Sequence, residues 1–108
     1  FWLQGESNLG DKDPKFAIYF KKLKSIIYTL RKEFNNERMI FIASELNKNR
    51  PENENFKKML DRLNTEIPYG ASIKSAGTST YDGTHYDHKS LELLGKRFAN
   101  KFKELYEK

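Results

Sequence analysis

The sequence predicts an α/β fold built on a parallel sheet. Three observations carry that expectation. Strand-like and helix-like segments alternate, in the order strand, helix, strand, helix, strand, helix. The run Met39-Ile40-Phe41-Ile42-Ala43 is apolar at every position, as a strand covered on both faces must be. The longer segments place apolar residues three and four apart, the spacing of one helical face. Three strands make a thin parallel sheet. Its faces need helices and its edges need neighbours, so residues 1–108 read as the C-terminal half of a larger single-domain sandwich.

The elements follow in order. Phe1-Trp2-Leu3 reads as the end of a buried strand, and Gln4 to Lys12 as a polar loop punctuated by glycine. Asp13-Pro14 is a helix start, with Asp as N-cap and Pro at the first helical position. The helix runs to about Asn35, with Phe16, Phe20, Leu23, Ile27, Leu30 and Phe34 as its apolar stripe and Asn35-Asn36 as its stop. After the Met39 strand, Ser44 to Arg50 forms a loop. Pro51 opens a second helix that turns Phe56, Leu60, Leu63 and Ile67 inward, and Pro68-Tyr69-Gly70 breaks it. Ala71 to Ala76 is a weaker strand and Gly77 to Asp87 a long loop. A last helix begins near His88 to Ser90 and directs Leu91, Leu94, Phe98, Phe102 and Leu105 inward.

Composition narrows the function classes. Hydrophobic content of 37% suffices for a core, so the chain is not of the disordered type. The absence of cysteine removes disulfides, thiolate chemistry and cysteine-based zinc sites, and leaves the compartment open between secreted and cytoplasmic. The apolar runs are only a few residues long, so no segment predicts a membrane span. Lys and Arg number 20 against 15 Asp and Glu, a net +5, but acidic residues interleave with the basic ones. That pattern suits solvated helix faces better than a nucleic-acid surface. A start on Phe-Trp-Leu reads as the middle of a strand, which points to a piece of a longer chain.

Two motifs carry chemistry. Asp82-x-x-His85 puts an acid and an imidazole on a glycine-containing loop, at a spacing that lets the carboxylate reach the near ring nitrogen. His85 suits a general base, and Asp82 suits fixing its tautomer and stabilising the imidazolium. The plainer alternative is a turn Asp and a surface His. Gln4-Gly5-Glu6-Ser7-Asn8 follows the first strand, as Asp82 and His85 follow the third, so both motifs fall at the carboxyl edge of a parallel sheet, where active residues belong. Gly5-Glu6-Ser7 resembles the start of a G-x-S-x-G nucleophile turn. Position 9 is Leu, however, and several residues intervene before the helix. The better reading is a polar loop that donates to an oxyanion through Gln4, Asn8 and the backbone of Gly5, with Glu6 tying the loop together. A metal site from His85, His88 and Asp82 or Asp87 has only a bare H-x-x-H behind it, and no metal is expected. Tyr81, Tyr86 and Trp2 flank the motifs; such aromatics either pack or stack on a sugar ring.

Taken together, these motifs carry a resemblance. Trp2-Leu3-Gln4-Gly5-Glu6-Ser7-Asn8 resembles the W-x-Q-G-E-S-[DN] block of the SGNH-hydrolase superfamily, in its carbohydrate esterase branch, which includes sialate O-acetylesterase-like and acetylxylan esterase (carbohydrate esterase family 6) groups. Asp82-Gly83-Thr84-His85 matches the D-x-x-H block of that branch, and Leu94-Gly95-Lys96-Arg97-Phe98-Ala99 resembles its L-G-x-R-[YF]-A helix. The resemblance implies a three-layer α/β/α sandwich and a Ser-His-Asp esterase acting on O-acetyl esters of carbohydrates. His85 would be the base, Asp82 its partner, and Gln4 and Gly5, with Asn8, the oxyanion site. It implies no metal and no organic cofactor. The family's nucleophilic serine lies upstream in a separate G-x-S-N block, so Ser7 is not that residue, and the chain alone is expected to be inactive without its N-terminal half. The other function class left open is a non-enzymatic basic module that binds carbohydrate or an acidic partner.

Overall fold

The computed structural model describes residues 1–3, 16–47, 52–83 and 85–107. Its elements are helix α1 (Ala17–Glu33), strand β1 (Phe41–Ser44), helix α2 (Glu52–Asp61), the short helix α3 (Leu63–Glu66), strand β2 (Gly70–Ile73) and helix α4 (His88–Tyr106). Strands β1 and β2 pair in parallel, in the register Phe41 to Gly70 through Ser44 to Ile73. On the opposite side of β1, Trp2 forms a parallel bridge to Ala43: its N–H donates to Ile42 O at 2.8 Å, and its carbonyl accepts from Ser44 N–H at 2.9 Å. The expected first strand is thus present as a single rung.

Strand alternation sorts the core into two layers. Phe41 and Ala43 face Phe20, Leu23 and Ile27 of α1 and Phe56, Met59 and Leu60 of α2. Ile42 on β1, with Ala71 and Ile73 on β2, faces Leu94, Phe98 and Leu105 of α4. Every residue of both strands is buried. Helices therefore cover both faces of a small parallel sheet, the α/β arrangement that the sequence predicts.

Several boundaries move. The predicted single helix after Pro51 is broken at Arg62 into α2 and α3, and Ile67 sits in extended geometry past the end of α3. β2 starts at Gly70 because the chain turns tightly there: a Cβ on Gly70 would lie 2.8 Å from Ile67 Cβ. α1 ends at Glu33, and Asn35 reverses the chain with a left-handed φ of 49°. The expected Asp13-Pro14 start lies outside the described residues.

Two side-chain expectations fail. On α1, Phe34 is exposed and Arg31 is buried in its place. The Arg31 Nε and Nη2 donate to Met39 O at 3.1 and 2.8 Å, and Nη2 also donates to Pro68 O at 2.6 Å. The guanidinium so closes the amino edge of the sheet, and burial pulls its pKa down, opposed by the neighbouring Tyr28. On α4, Leu91 and Phe102 are exposed while Leu94, Phe98 and Leu105 form the buried line. Successive helical residues turn by about 100°. Leu91 and Phe102 thus flank Phe98 on the side away from Arg97, and Phe1 stacks on Phe98 there at 4.6 Å.

Candidate active site

The loop between β2 and α4 is built by short-range hydrogen bonds and then pinned to β1. Gly77 and Gly83 both adopt φ of 84°, a conformation that side chains resist, and so allow the turns at each end of the Thr78 to Asp82 stretch. Thr80 and Tyr86 form an antiparallel bridge, and Tyr81 N–H donates to His85 O at 3.1 Å. Residues 80–81 and 85–86 thus pair as a miniature hairpin, whose side chains alternate between two faces.

Asp82 uses both carboxylate oxygens on His85. The backbone N–H of His85 donates to Oδ1 at 2.6 Å, and His85 Nδ1 lies 2.5 Å from Oδ2. The first contact is the familiar Asx turn, in which an Asp side chain satisfies a backbone amide near it in sequence. The second follows because the same turn brings the ring over the carboxylate. A D-x-x-H spacing therefore fixes the backbone and the imidazole with one acid. A carboxylate that accepts at Oδ2 favours the neutral tautomer with its proton on Nδ1 and its lone pair on Nε2. The His85 side chain is 67% exposed and that of Asp82 38%, so the pair stands on an open surface.

The pinning comes from the other carboxyl strand end. Tyr86, next to His85, is buried and donates its phenol to Glu45 O at 2.9 Å. The Glu45 carboxylate is itself buried. Its Oε1 accepts from Ser75 N–H at 3.0 Å, and its Oε2 lies 3.5 Å from Lys74 Nζ. Asn47 Nδ2 donates to Thr78 O at 2.6 Å and to Thr78 Oγ1 at 3.0 Å. From α4, Arg97 donates through Nη1 to Lys74 O at 2.7 Å and through Nη2 to Ala76 O at 2.6 Å. Asp87 caps α4: it accepts from Ser90 N–H at 2.9 Å and from the Ser79 hydroxyl. The Ser79 hydroxyl, then the Ser90 amide, holds the Asp87 carboxyl below the usual carboxylate range.

Of the residues singled out in the sequence, Asp82 and His85 are brought together. Gln4, Gly5, Glu6 and Asn8, like Ser7, lie outside the described residues. The parallel rung at Trp2 puts Leu3 on the carboxyl side of the sheet, the side that carries the Asp82 loop. His88 pairs with Glu92 Oε1 at 2.9 Å on the surface of α4, apart from the Asp82–His85 pair. Among the described residues, no group of three or more His, Cys, Asp or Glu could hold a metal ion. None of their helices is long and apolar enough to cross a membrane. Trp2 packs on Phe41 and donates to the Tyr19 hydroxyl at 3.3 Å, so it is a packing residue. Glu45, Asn47 and the clamp role of Arg97 are absent from the sequence reading. The position of Glu45 and Asn47 just past a predicted strand is the signal that could have flagged them. Grooves beside Met39, Ile40, Tyr69 and Phe102, and beside Asn64, Ser72 and Arg97, do not include Asp82 or His85.

Parallel strands between helical layers, with an acid–imidazole pair past the carboxyl edge, make an α/β arrangement compatible with part of an SGNH-hydrolase fold. The family model for carbohydrate esterase, sialic acid-specific acetylesterase, matches residues 1–104, and the chain belongs to that family. Searches of curated proteins and of solved structures return no match.

Proposed function

We propose that this chain is the C-terminal half of a serine esterase domain that removes O-acetyl groups from carbohydrates. His85 is the general base and Asp82 its partner. The nucleophilic serine is supplied by a preceding segment of the same domain. The observation that carries this reading is the doubly held Asp82–His85 turn, in which the carboxylate engages Nδ1 and so leaves proton transfer to Nε2.

The chemistry follows from that geometry. A serine hydroxyl within hydrogen-bond reach of His85 Nε2 loses its proton to that nitrogen as it attacks the acetyl carbonyl. The imidazolium so formed is stabilised by Asp82 through the Nδ1 proton. It then returns the proton from Nε2 to the departing sugar hydroxyl. Water repeats the cycle on the acetyl-enzyme and releases acetate. Donors from Gln4, Asn8 and the Gly5 amide stabilise the carbonyl oxygen while it carries charge, and Glu6 holds their loop.

Two features support the split of the site. The Asp82–His85 pair is open to solvent, whereas such a base works best in a shielded cleft. Phe1, which stacks on Phe98, and Leu91, Phe102 and Tyr106 of α4 leave apolar surface exposed, against which a further part of the domain would pack. The chain on its own is therefore expected to release no acetate.

The test is acetate release by the whole protein from an acetylated sugar. His85→Ala is expected to lower kcat by about three to four orders of magnitude with the fold intact. Activity close to that of the parent would remove His85 from the mechanism.

A further inference from the structure

The miniature hairpin does more than hold His85. In its register Thr80 pairs with Tyr86, so Tyr81 and His85 are the next cross-strand neighbours and share the opposite face. Tyr86 on the first face is buried against β1. Tyr81 on the second is 72% exposed, although it is a large aromatic ring. Its ring lies nearly parallel to the imidazole, 20° between planes and 5.9 Å between centroids. The Tyr81 amide is also tied to His85 O. The ring therefore lies next to the base on a backbone held by the hairpin, with most of its surface uncovered.

An aromatic ring costs little conformational entropy when a ligand covers it. Its neighbourhood is mixed. Asp82 and the imidazole are polar, and the open ring face is apolar. A ligand that suits both has an apolar C–H face flanked by hydroxyls, which describes a pyranose ring. A short alkyl ester has no such face to offer.

We infer that Tyr81 is the sugar platform of the site: its exposed ring stacks on the pyranose that bears the acetyl group and so holds the sugar beside the base. The inference rests on the proposed esterase reading and names its sugar-binding residue. It assigns Tyr81 to substrate binding and gives it no part in proton transfer.

The test uses the whole protein with two substrates, a mono-acetylated methyl pyranoside and a short alkyl acetate. Tyr81→Ala is expected to raise KM for the acetylated pyranoside about tenfold, the equivalent of one lost stacking contact. Its kcat on that sugar and its kcat/KM on the alkyl acetate should stay within about twofold of the parent. Tyr81→Phe and Tyr81→Trp keep a stacking face and should restore the parent KM. A loss of kcat that is equal on both substrates would overturn the platform, because the ring would then serve only to orient His85. No change on either substrate overturns it as well. His85→Ala separates the two levels. If alkyl acetate hydrolysis depends on His85 but sugar KM ignores Tyr81, the platform alone fails. Hydrolysis that survives His85→Ala overturns the esterase reading, and the platform with it.

Discussion

An arginine closes each edge of the sheet, and the two do different things with the same chemistry. At the amino edge, Arg31 of α1 reaches the carbonyls of Met39 and Pro68, where the chain enters β1 and β2. At the carboxyl edge, Arg97 of α4 reaches the carbonyls of Lys74 and Ala76, where the chain leaves β2 for the Asp82 loop. Arg31 is only 4% exposed, whereas Arg97 is half-buried and its bonds are open to water. A buried carbonyl that loses its donor bears the full desolvation cost, and a wet one does not. Arg31 is thus a stability residue, and Arg97 is a positioning residue for a loop that must hold one shape.

That contrast can be broken by experiment. Arg31→Met should cost about 1–3 kcal/mol of unfolding free energy, because the buried guanidinium gives up its bonds to two partly buried carbonyls. Urea denaturation would measure it, and the variant that remains folded should keep the parent kcat. Arg97→Met should do the reverse. Stability should fall by only about 1 kcal/mol. In the whole protein, acetate release should slow by about ten- to a hundredfold, the effect of a base displaced by around an ångström. Equal losses of stability in the two variants would erase the distinction.

Tyr86→Phe sharpens the picture at the same edge. It keeps the buried ring and removes the phenol that donates to Glu45 O. About 1 kcal/mol of stability should go, with a few-fold slower turnover. The smallest effect lies at the α4 cap. The Asp87 carboxyl titrates below its unfolded value because Ser79 and Ser90 donate to it. Its contribution is therefore complete above the unfolded pKa, about 3.9, and is lost as pH falls through the folded value. Asp87→Asn should melt below the parent at neutral pH, and thermal melts at pH 3 should show that gap narrowed.

The element order is legible in the sequence because burial leaves a period in it. Met39 to Ala43 is apolar throughout since both strand faces are covered, and Phe20, Leu23 and Ile27 keep their helical spacing because one face of α1 meets the sheet. Arg31 is not legible, since its partners Met39 and Pro68 are set by tertiary placement rather than by local pattern. Leu91 and Phe102 mislead for a related reason. They lie on the edge of the α4 stripe, and the described residues leave that side open. At the site, the D-x-x-H spacing is readable because an Asx turn is local. The Glu45 clamp is not, because it joins two strand ends that the sequence cannot bring together.

The central claim is that Asp82 and His85 act as one unit in acetyl-ester hydrolysis. The direct measurement is kcat for acetate release by the whole protein carrying Asp82→Asn, taken together with its melting temperature. The amide can still accept a hydrogen bond from the His85 backbone N–H, so the melting temperature should stay near that of the parent. It can also turn its NH₂ toward the ring, which favours the wrong tautomer and leaves Nε2 protonated. The account predicts a fall in kcat of about 10³- to 10⁴-fold. A kcat within twofold of the parent, in a folded variant, would contradict it.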